Sequence, residues 1–184
     1  MQRLPTQLEG PVLLAPRVHD DGRGFFVETF RADAWAEHGV DLDWVQDNQS
    51  RSRRGTLRGM HFQTEPGQAK LVRCARGAIF DVIVDIRPDS QSFGAWEGCV
   101  LDDERQLQLF VPIGFAHGFC VITEFADVVY KCSSYYDAAT EAGFAYDDPA
   151  VGIEWPDIEL TISPRDRDAL PFGSVAERLR AHAA

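Results

Sequence analysis

The stretch that decides the fold is AIFDVIVDI, residues Ala78–Ile86. From position 80 to position 86 the even-numbered residues are Phe, Val, Val and Ile, and the odd-numbered residues between them are Asp, Ile and Asp. Successive side chains of a β-strand point to opposite faces of the sheet, so this period of two places an apolar row on one face. The pattern therefore predicts a half-buried strand.

Further strand-like runs lie on both sides of this stretch, separated by turns rich in Gly, Pro, Asp and Ser. Their short length and fairly regular spacing are typical of an antiparallel sandwich or barrel. The additional predicted strands are Val12–Ala15, Gly24–Phe30, Lys70–Cys74, Trp96–Leu101, Leu107–Val111, Gly118–Ile122 and Asp127–Tyr135. Helices are predicted only at Arg31–His38 and in a tail that begins at Ser174 with a capping-box pattern. We therefore expect one all-β domain over residues 1–184 with short peripheral helices.

The composition limits the partners that this chain can have. It contains 18 Lys and Arg against 29 Asp and Glu, a net charge of −11, which predicts no general affinity for nucleic acid or for an anionic membrane. No apolar run approaches the roughly 20 residues of a membrane helix. The N-terminal residues lack the apolar stretch of a signal peptide, so we expect a cytoplasmic protein. The cysteines are widely spaced among apolar neighbours, which favours reduced core side chains.

The densest group of functional-looking residues lies between Val45 and Arg73. His61 stands there among Arg and Lys residues, in a segment of turns and short strands. This combination suits removal of a proton from carbon, because a His can act as base while a cation stabilises the oxyanion of the resulting enolate. The same pattern also fits a hydrogen-bonded barrel histidine beside a solvated basic face. The local sequence leaves both interpretations open.

Other reaction classes have weaker support. Metal sites in small β-barrels usually show HxH, whereas His61 is followed at that spacing by Gln63 and the remaining histidines are scattered, so we predict no catalytic metal. The motifs GxGxxG, GxxxxGK[ST] and GxSxG are absent, so neither a backbone phosphate cradle nor a nucleophilic serine is expected. His117 and the tyrosines of VVYKCSSYY fit core packing as well as they fit a site.

Several longer strings nevertheless form a recognisable set. They are RGFFVETF, WVQDNQS, RGTLRGMHFQ, QAKLVRCARGAIFDVIVDIR, VPIGFAHGF, VVYKCSSYY and ISPRD, in that order. From about Val12 to Pro171 the chain resembles the dTDP-4-dehydrorhamnose 3,5-epimerase family. The resemblance implies a cupin-type jelly-roll β-barrel that uses no metal or other cofactor, works as a homodimer and inverts C3 and C5 of a dTDP-4-keto-6-deoxyhexose substrate in dTDP-L-rhamnose biosynthesis.

The resemblance also assigns roles to individual residues. His61 matches the family's catalytic base, Asp166 its carboxylate partner, Lys70 the residue that stabilises the enolate oxygen, and Tyr130 the proton donor on the opposite face. Arg23, Phe26, Glu28, Gln46 and Asn48 match nucleotide-sugar contacts, and Arg58, His117 and Tyr136 match residues that line the sugar and pyrophosphate region.

Two points leave alternatives open. The segment after ISPRD carries its Pro one residue later than the family pattern, which makes Asp168 a second candidate partner for His61, although Asp166 fits the spacing better. Relatives that invert only C3 or only C5 keep the same His, Lys and Tyr, so a single-site epimerase remains an alternative reading. The third functional interpretation, after these two kinds of epimerase, is a sugar-binding cupin without catalytic activity. A binding protein, however, has no need of an acid and a base on opposite faces.

Overall fold

The computed structural model describes residues 1–183, which form fourteen β-strands and three α-helices. The strands are β1 (Gln2–Leu4), β2 (Val12–Ala15), β3 (Val18–Asp20), β4 (Phe25–Val27), β5 (Gln46–Arg53), β6 (Thr56–Gln63), β7 (Lys70–Arg76), β8 (Ala78–Asp85), β9 (Trp96–Asp102), β10 (Gln108–Val111), β11 (Phe115–Val121), β12 (Phe125–Cys132), β13 (Glu141–Gly143) and β14 (Thr161–Ile162). The helices are α1 (Ala32–Ala36), α2 (Pro164–Arg167) and α3 (Phe172–Ala183). None of these helices is long and apolar enough to cross a membrane.

Two sheets face each other across the core. Sheet 1 has the strand order β1-β2-β10-β7-β12-β5 and sheet 2 the order β13-β6-β11-β8-β9, with β14 added in parallel to β6. From β5 to β12 each strand crosses to the other sheet, except that β8 and β9 form a hairpin within sheet 2. Paired strands in this region are antiparallel, which is the jelly-roll arrangement of a cupin-type barrel. The predicted all-β barrel with peripheral helices is therefore confirmed.

The prediction that β8 is half-buried is wrong, because both of its faces are covered. Ile83 and the fully buried Asp81 point between the sheets, where they meet the apolar core. Val82 and Val84, on the other face, pack against α3 and Phe144. The chain that follows β13 and ends in α3 lies over the outside of sheet 2, and no pattern within the strand indicates that this cover exists.

Several predicted boundaries also differ. Gly24–Phe30 is a strand only at β4, which pairs with β3 in a separate two-stranded sheet, while Phe30 packs on the outer face of sheet 1. The strand predicted at Asp127–Tyr135 begins earlier and ends at Cys132, and α3 begins before Ser174. The eight-residue strands β5 and β6 were not separately predicted. Their polar, Arg-rich sequence hides the period of two, since many of these side chains line the cavity described below.

A close approach of two backbones sets the position of the central strands of sheet 2. Gly59 has φ +141°, and a Cβ there would lie 2.6 Å from the Cα of Gly118 on β11. Only glycine fits at such a contact with this backbone conformation. The register of β6 and β11 shifts beside it, between His117 and Phe119, and brings His61 directly opposite His117. Both histidines therefore face the interior between the sheets.

The end of β8 allows a prediction about stability and pH. Asp85 is fully buried and accepts hydrogen bonds from Arg87 Nη2 at 2.7 Å, Ser90 Oγ at 2.6 Å and Ser92 Oγ at 2.7 Å. Burial alone would raise the pKa of this carboxyl, but these donors outweigh it and lower the pKa to about 2. Because the folded-state pKa lies below the unfolded one, the stabilisation is present above about pH 4 and is lost as the pH falls towards 2, an effect of about 2 kcal/mol.

We therefore expect Asp85→Asn to lower the free energy of unfolding most above pH 4 and least near pH 2. Denaturant titrations across this range measure the difference, with the exposed Asp89→Asn as the matched control. A difference between wild type and Asp85→Asn that stays constant with pH would contradict this account of the loop.

Candidate active site

A polar cavity of about 260 Å³ opens between the two sheets near the β5 edge. Its walls carry residues from both sheets and from the segment between β12 and β13. They are Gln46, Asn48, His61, Phe62, Gln63, Gln68, Lys70, Tyr130, Tyr136 and Glu141. Six of the residues predicted from the sequence as site residues are therefore brought together here, although they are separated by up to 90 positions in the chain.

His61 is held by a carboxylate from the C-terminal part of the chain. Its Nε2 lies 2.6 Å from Asp166 Oδ1, and Asp166 is almost completely buried. Asp166 is placed by the short helix α2, where Ser163 at the N-cap accepts a hydrogen bond from the Asp166 backbone N–H at 3.1 Å. Asp168 lies exposed at the other end of α2, so the structure pairs His61 with Asp166 and not with Asp168.

This pairing determines which nitrogen of His61 can act as a base. A carboxylate accepts hydrogen bonds, so Nε2 donates and Nδ1 carries the free lone pair. Burial lowers the pKa of His61, and although Asp166 opposes this, Arg165 and Lys70 lower it further. The net direction is downward, so the imidazole is neutral at neutral pH and can accept a proton. Asp166 then stabilises the imidazolium that forms.

Lys70 and Tyr130 face His61 from the opposite sheet. They lie on the neighbouring strands β7 and β12, where Tyr130 is opposite Val72 and Lys70 is opposite Cys132. Burial lowers the pKa of the Lys70 ammonium, and burial raises the pKa of the Tyr130 phenol. A phenol with a raised pKa keeps its proton at neutral pH and can donate it. The cavity thus has a candidate base on one side and a candidate acid on the other.

A second His–Asp pair lies deeper between the sheets. His117 Nε2 is 3.0 and 2.9 Å from the two carboxylate oxygens of Asp81, and both side chains are buried. Because His117 is opposite His61 in the ladder, it stands next to the catalytic candidates rather than in the apolar core. Sequence reasoning missed Asp81, since the alternation of β8 placed it on a face that looked solvated.

Arg58 lies on β6 before His61 and donates from Nε and Nη2 to Ser52 Oγ, at 3.2 and 3.1 Å. Its positive charge acts on Tyr130, where it lowers the pKa and so partly opposes the effect of burial. Arg58 and His117 do not line the polar cavity itself but border it. Both remain candidates for contacts with a sugar or phosphate group.

The cavity mouth carries a hydrogen-bonded group that the sequence did not indicate. Glu141 accepts hydrogen bonds from Tyr136 Oη and from Arg165 Nη1, both at 2.7 Å. The Tyr136 backbone N–H donates to Gln46 Oε1 at 2.9 Å, and Gln46 in turn donates to Asn48. No local signal marks Glu141, which is a single acidic residue after a turn.

The predicted nucleotide contacts Arg23, Phe26 and Glu28 lie elsewhere. The hairpin formed by β3 and β4 holds them away from His61, with 87% of the Arg23 side chain and 70% of Phe26 exposed. Phe26 and Glu28 line a different hollow of about 360 Å³ beside α1. Within one chain these residues are therefore not part of the cavity that contains His61.

A larger and mostly apolar groove of about 800 Å³ adjoins the site on the α3 side, and it shares His61, Phe62, Gln63 and Glu141 with the polar cavity. Among residues 1–183 no group of three or more His, Cys, Asp or Glu side chains is arranged to hold a metal ion.

Burial raises the pKa of the Cys74 thiol to about 12 and that of Cys120 to about 11, so neither is an activated nucleophile.

Comparison with known proteins gives a consistent result. A sequence model of the family described as dTDP-4-dehydrorhamnose 3,5-epimerase matches residues 5–173. The chain is 48% identical over 167 residues to the dTDP-4-dehydrorhamnose 3,5-epimerase of Neisseria gonorrhoeae, an alignment that covers 90% of this chain and 51% of that protein, so the chain spans about half of its length.

Two solved structures are similar over nearly the whole chain. The dTDP-6-deoxy-D-glucose-3,5-epimerase of Legionella pneumophila, in complex with dTDP-4-keto-L-rhamnose, has a TM-score of 0.93 and 40% identity, covering 97% of this chain and 96% of that one. The 3'-monoepimerase ChmJ of Streptomyces bikiniensis, in complex with dTDP-quinovose, has a TM-score of 0.89 and 41% identity, covering 96% and 90%. With the jelly roll and the His–Asp, Lys and Tyr arrangement in place, these matches show that the chain belongs to the dTDP-4-dehydrorhamnose 3,5-epimerase family.

Proposed function

We propose that this protein is a dTDP-4-dehydrorhamnose 3,5-epimerase, which inverts C3 and C5 of dTDP-4-keto-6-deoxy-D-glucose in dTDP-L-rhamnose biosynthesis. The observation that carries the proposal is the opposed placement of His61 and Tyr130 across one cavity, on different sheets. Inversion at carbon requires a proton to leave from one face and to return to the other. A base and an acid on facing sheets meet that requirement.

The chemistry follows from the electronic position of the two carbons. C3 and C5 both adjoin the C4 ketone, so removal of either proton leaves charge that spreads onto the ketone oxygen. His61 Nδ1 takes the proton and becomes an imidazolium paired with Asp166. The ammonium of Lys70 stabilises the enolate oxygen, and Tyr130 Oη returns a proton to the opposite face of the carbon. The Tyr130 phenolate then regains a proton from solvent, and the His61 imidazolium releases its proton to solvent, which restores both groups.

The surrounding polar residues fit the rest of such a substrate. Arg58 and the His117–Asp81 pair border the sugar region with a cation and a hydrogen-bonding imidazole. Gln46, Asn48 and the half-exposed Tyr136 line the mouth and can contact the nucleotide part. These side chains supply local positive charge and hydrogen-bond donors in a protein whose net charge is −11.

Proton NMR of dTDP-4-keto-6-deoxyglucose incubated with the protein in D₂O tests this function. We expect loss of the signals at both C3 and C5, with the doubly inverted product trapped by a reductase. Deuterium at only one carbon would instead indicate a single-site epimerase, which the similarity to a 3'-monoepimerase makes the second candidate. No exchange at either carbon would reject the proposed activity.

Replacing Tyr130 with Phe should separate proton removal from inversion. The base on the other sheet is intact, so exchange of substrate protons with D₂O should continue, whereas net inversion should fall by about 10²-fold or more because the donor is gone. The ratio of exchange to inversion, followed by NMR, is the measurement. The exposed Tyr135→Phe is the matched control. Equal losses of exchange and inversion in Tyr130→Phe would reject its role as donor.

We further propose that the active form is a homodimer in which the β3–β4 hairpin of one copy completes the site of the other. The hairpin exposes Phe25 and Phe26, by 54% and 70%, together with the Arg23 side chain, which is 87% exposed and paired with Asp21. Aromatic and Arg side chains are the types most enriched in interfaces. These residues lie away from the His61 of their own chain, so the active site that they can reach is that of a second copy.

Mixing two inactive variants tests this arrangement. One carries His61→Asn and the other carries Arg23→Ala with Phe26→Ala. If the hairpin acts across the dimer, each mixed dimer has one intact site, and random exchange should restore about a quarter of wild-type activity at low substrate. A mixture of His61→Asn with Lys70→Met, which both alter the same chain's cavity, should restore none. Recovery no greater than in that control would reject sharing.

We also propose a cytoplasmic location. All four cysteines are free, and two of them are fully buried without a partner for a disulfide. Unpaired thiols of this kind are typical of proteins in a reducing compartment. Fractionation of cells that express the full chain would test it.

A further inference from the structure

A buried amide on the outer side of sheet 1 has no hydrogen-bond partner. Gln108, on β10, is only 2% exposed, and within residues 1–183 neither its Nε2 nor its Oε1 has a partner. Leaving such a group buried and unpaired is costly, about 1–3 kcal/mol. Unsatisfied side chains of this kind usually indicate a bound molecule or ordered water.

The residue beside this amide is a cation that is also unpaired. Arg73 on β7 lies directly opposite Gln108 in the antiparallel ladder, so both side chains project from the same face. Over the described part of the chain, the Arg73 guanidinium makes no hydrogen bond and no ion pair, and burial lowers the pKa of Arg73. An Arg that is partly removed from water normally has an anion to bind.

Both side chains line a small pocket of about 130 Å³ on this face. Thr29, Phe30, Leu71 and Val129 form much of its wall. Two further charged residues, Lys131 and Asp47, also line it and are paired with each other at 3.0 Å. Asp47 also attracts the Arg73 guanidinium, so the three charged side chains together leave the pocket with one net positive charge, next to a polar group that both donates and accepts.

We propose that this pocket binds a small protonated oxyanion of the hydrogenphosphate type. Its oxygens accept from the Arg73 guanidinium and from Gln108 Nε2, and its P–OH group donates to Gln108 Oε1. All the unpaired atoms are then satisfied at once. Sulfate has the same size and shape but no proton at neutral pH, so it leaves Gln108 Oε1 without a donor. The pocket opens on the opposite side of sheet 1 from Lys70, and Tyr130 borders both this pocket and the catalytic cavity. The proposed binding itself does not rest on the proposed epimerase activity.

Thermal unfolding of the full chain in inorganic phosphate and in sulfate, at equal ionic strength, tests the proposal. Saturating dTDP is present in one series so that phosphate cannot act through the catalytic cavity. At tenfold excess over its Kd, phosphate should raise Tm by about 3–6 °C beyond the effect of sulfate, with or without dTDP. The sulfate series accounts for general salting effects.

Variants of the pocket residues test whether a phosphate-specific rise in Tm comes from binding at this pocket. The phosphate-specific shift should disappear in Arg73→Met and in Gln108→Met, and it should persist in Arg76→Met, an exposed cation at the end of the same strand. Gln108→Met removes the unpaired amide, so without phosphate it should be at least as stable as wild type and should not fail to fold. Equal shifts in phosphate and sulfate, or a phosphate-specific shift retained in both pocket variants, would overturn the proposal and leave water as the occupant.

Discussion

His61→Asn should lower the rate of exchange of the substrate C3 and C5 protons by about 10²–10⁴-fold, the usual contribution of a general base. The reason is geometric as well as chemical: Nε2 is engaged by Asp166 at 2.6 Å, and Nδ1 is the free basic atom at the cavity wall. Asn has a similar shape and can keep a hydrogen bond to Asp166, but it cannot accept the proton. Exchange in D₂O, followed by NMR, measures the loss.

The control for this variant is His38→Asn, in the turn after α1, far from the cavity. It should leave exchange and stability close to those of wild type. The wild-type pH profile adds a second check. Because the pKa of His61 is lowered, exchange should be fully active at neutral pH and should decline only as the pH falls below the ordinary histidine range. Near-complete exchange in His61→Asn, or a decline that begins above pH 7, would exclude His61 as the base.

Lys70→Met should lower kcat by about 10²–10³-fold while increasing thermal stability. The loss of activity reflects removal of the cation that faces the enolate oxygen, a group whose effect exists mainly in the transition state. The gain in stability arises because the ammonium of the partly buried Lys70 has no hydrogen bond or ion pair within residues 1–183, and burial lowers the pKa of this group. Methionine has nearly the same shape and no charge to desolvate, which should be worth about 1 kcal/mol or more.

Steady-state kinetics and thermal unfolding, made on the same preparations, measure the two effects. Arg76→Met, on the same strand but exposed, should change neither substantially. Lys70→Arg keeps a charge in the cavity and should recover part of the activity, although its larger, planar group cannot occupy the same position. A Lys70→Met protein that loses stability and activity together would show that the residue has a structural role instead.

Much of the fold was predictable because its signals are local. Short apolar runs mark β2, β7 and β9 near their observed bounds, and the separation of such runs by turns implies an antiparallel barrel. The residues whose burial could not be predicted in this way are those whose surroundings come from segments distant in the sequence. Asp81 alternates as if it faced solvent, yet it is fully buried against His117. Strand β5 is polar because its inward side chains line a cavity rather than a core.

The candidate site likewise contains residues that the sequence could nominate and one that it could not. The strings around His61, Lys70, Tyr130 and Asp166 were sufficient to nominate these four residues, but only by resemblance to a family. Glu141 could not be nominated, because a single acidic residue after a turn has no distinguishing pattern. Its importance comes from the two donors, Tyr136 and Arg165, that fold onto it from other parts of the chain.

The sequence by itself determined the strand pattern, the family resemblance and the chemical types present at the site, since each depends on neighbours along the chain. Only the tertiary structure decided that His61 and Tyr130 stand on facing sheets, that Asp166 rather than Asp168 meets His61, and that the hairpin with Arg23 lies outside the chain's own cavity. These relations depend on register and on how the two sheets close over each other. Register and closure are fixed by packing between segments as many as 105 residues apart, which no local pattern encodes.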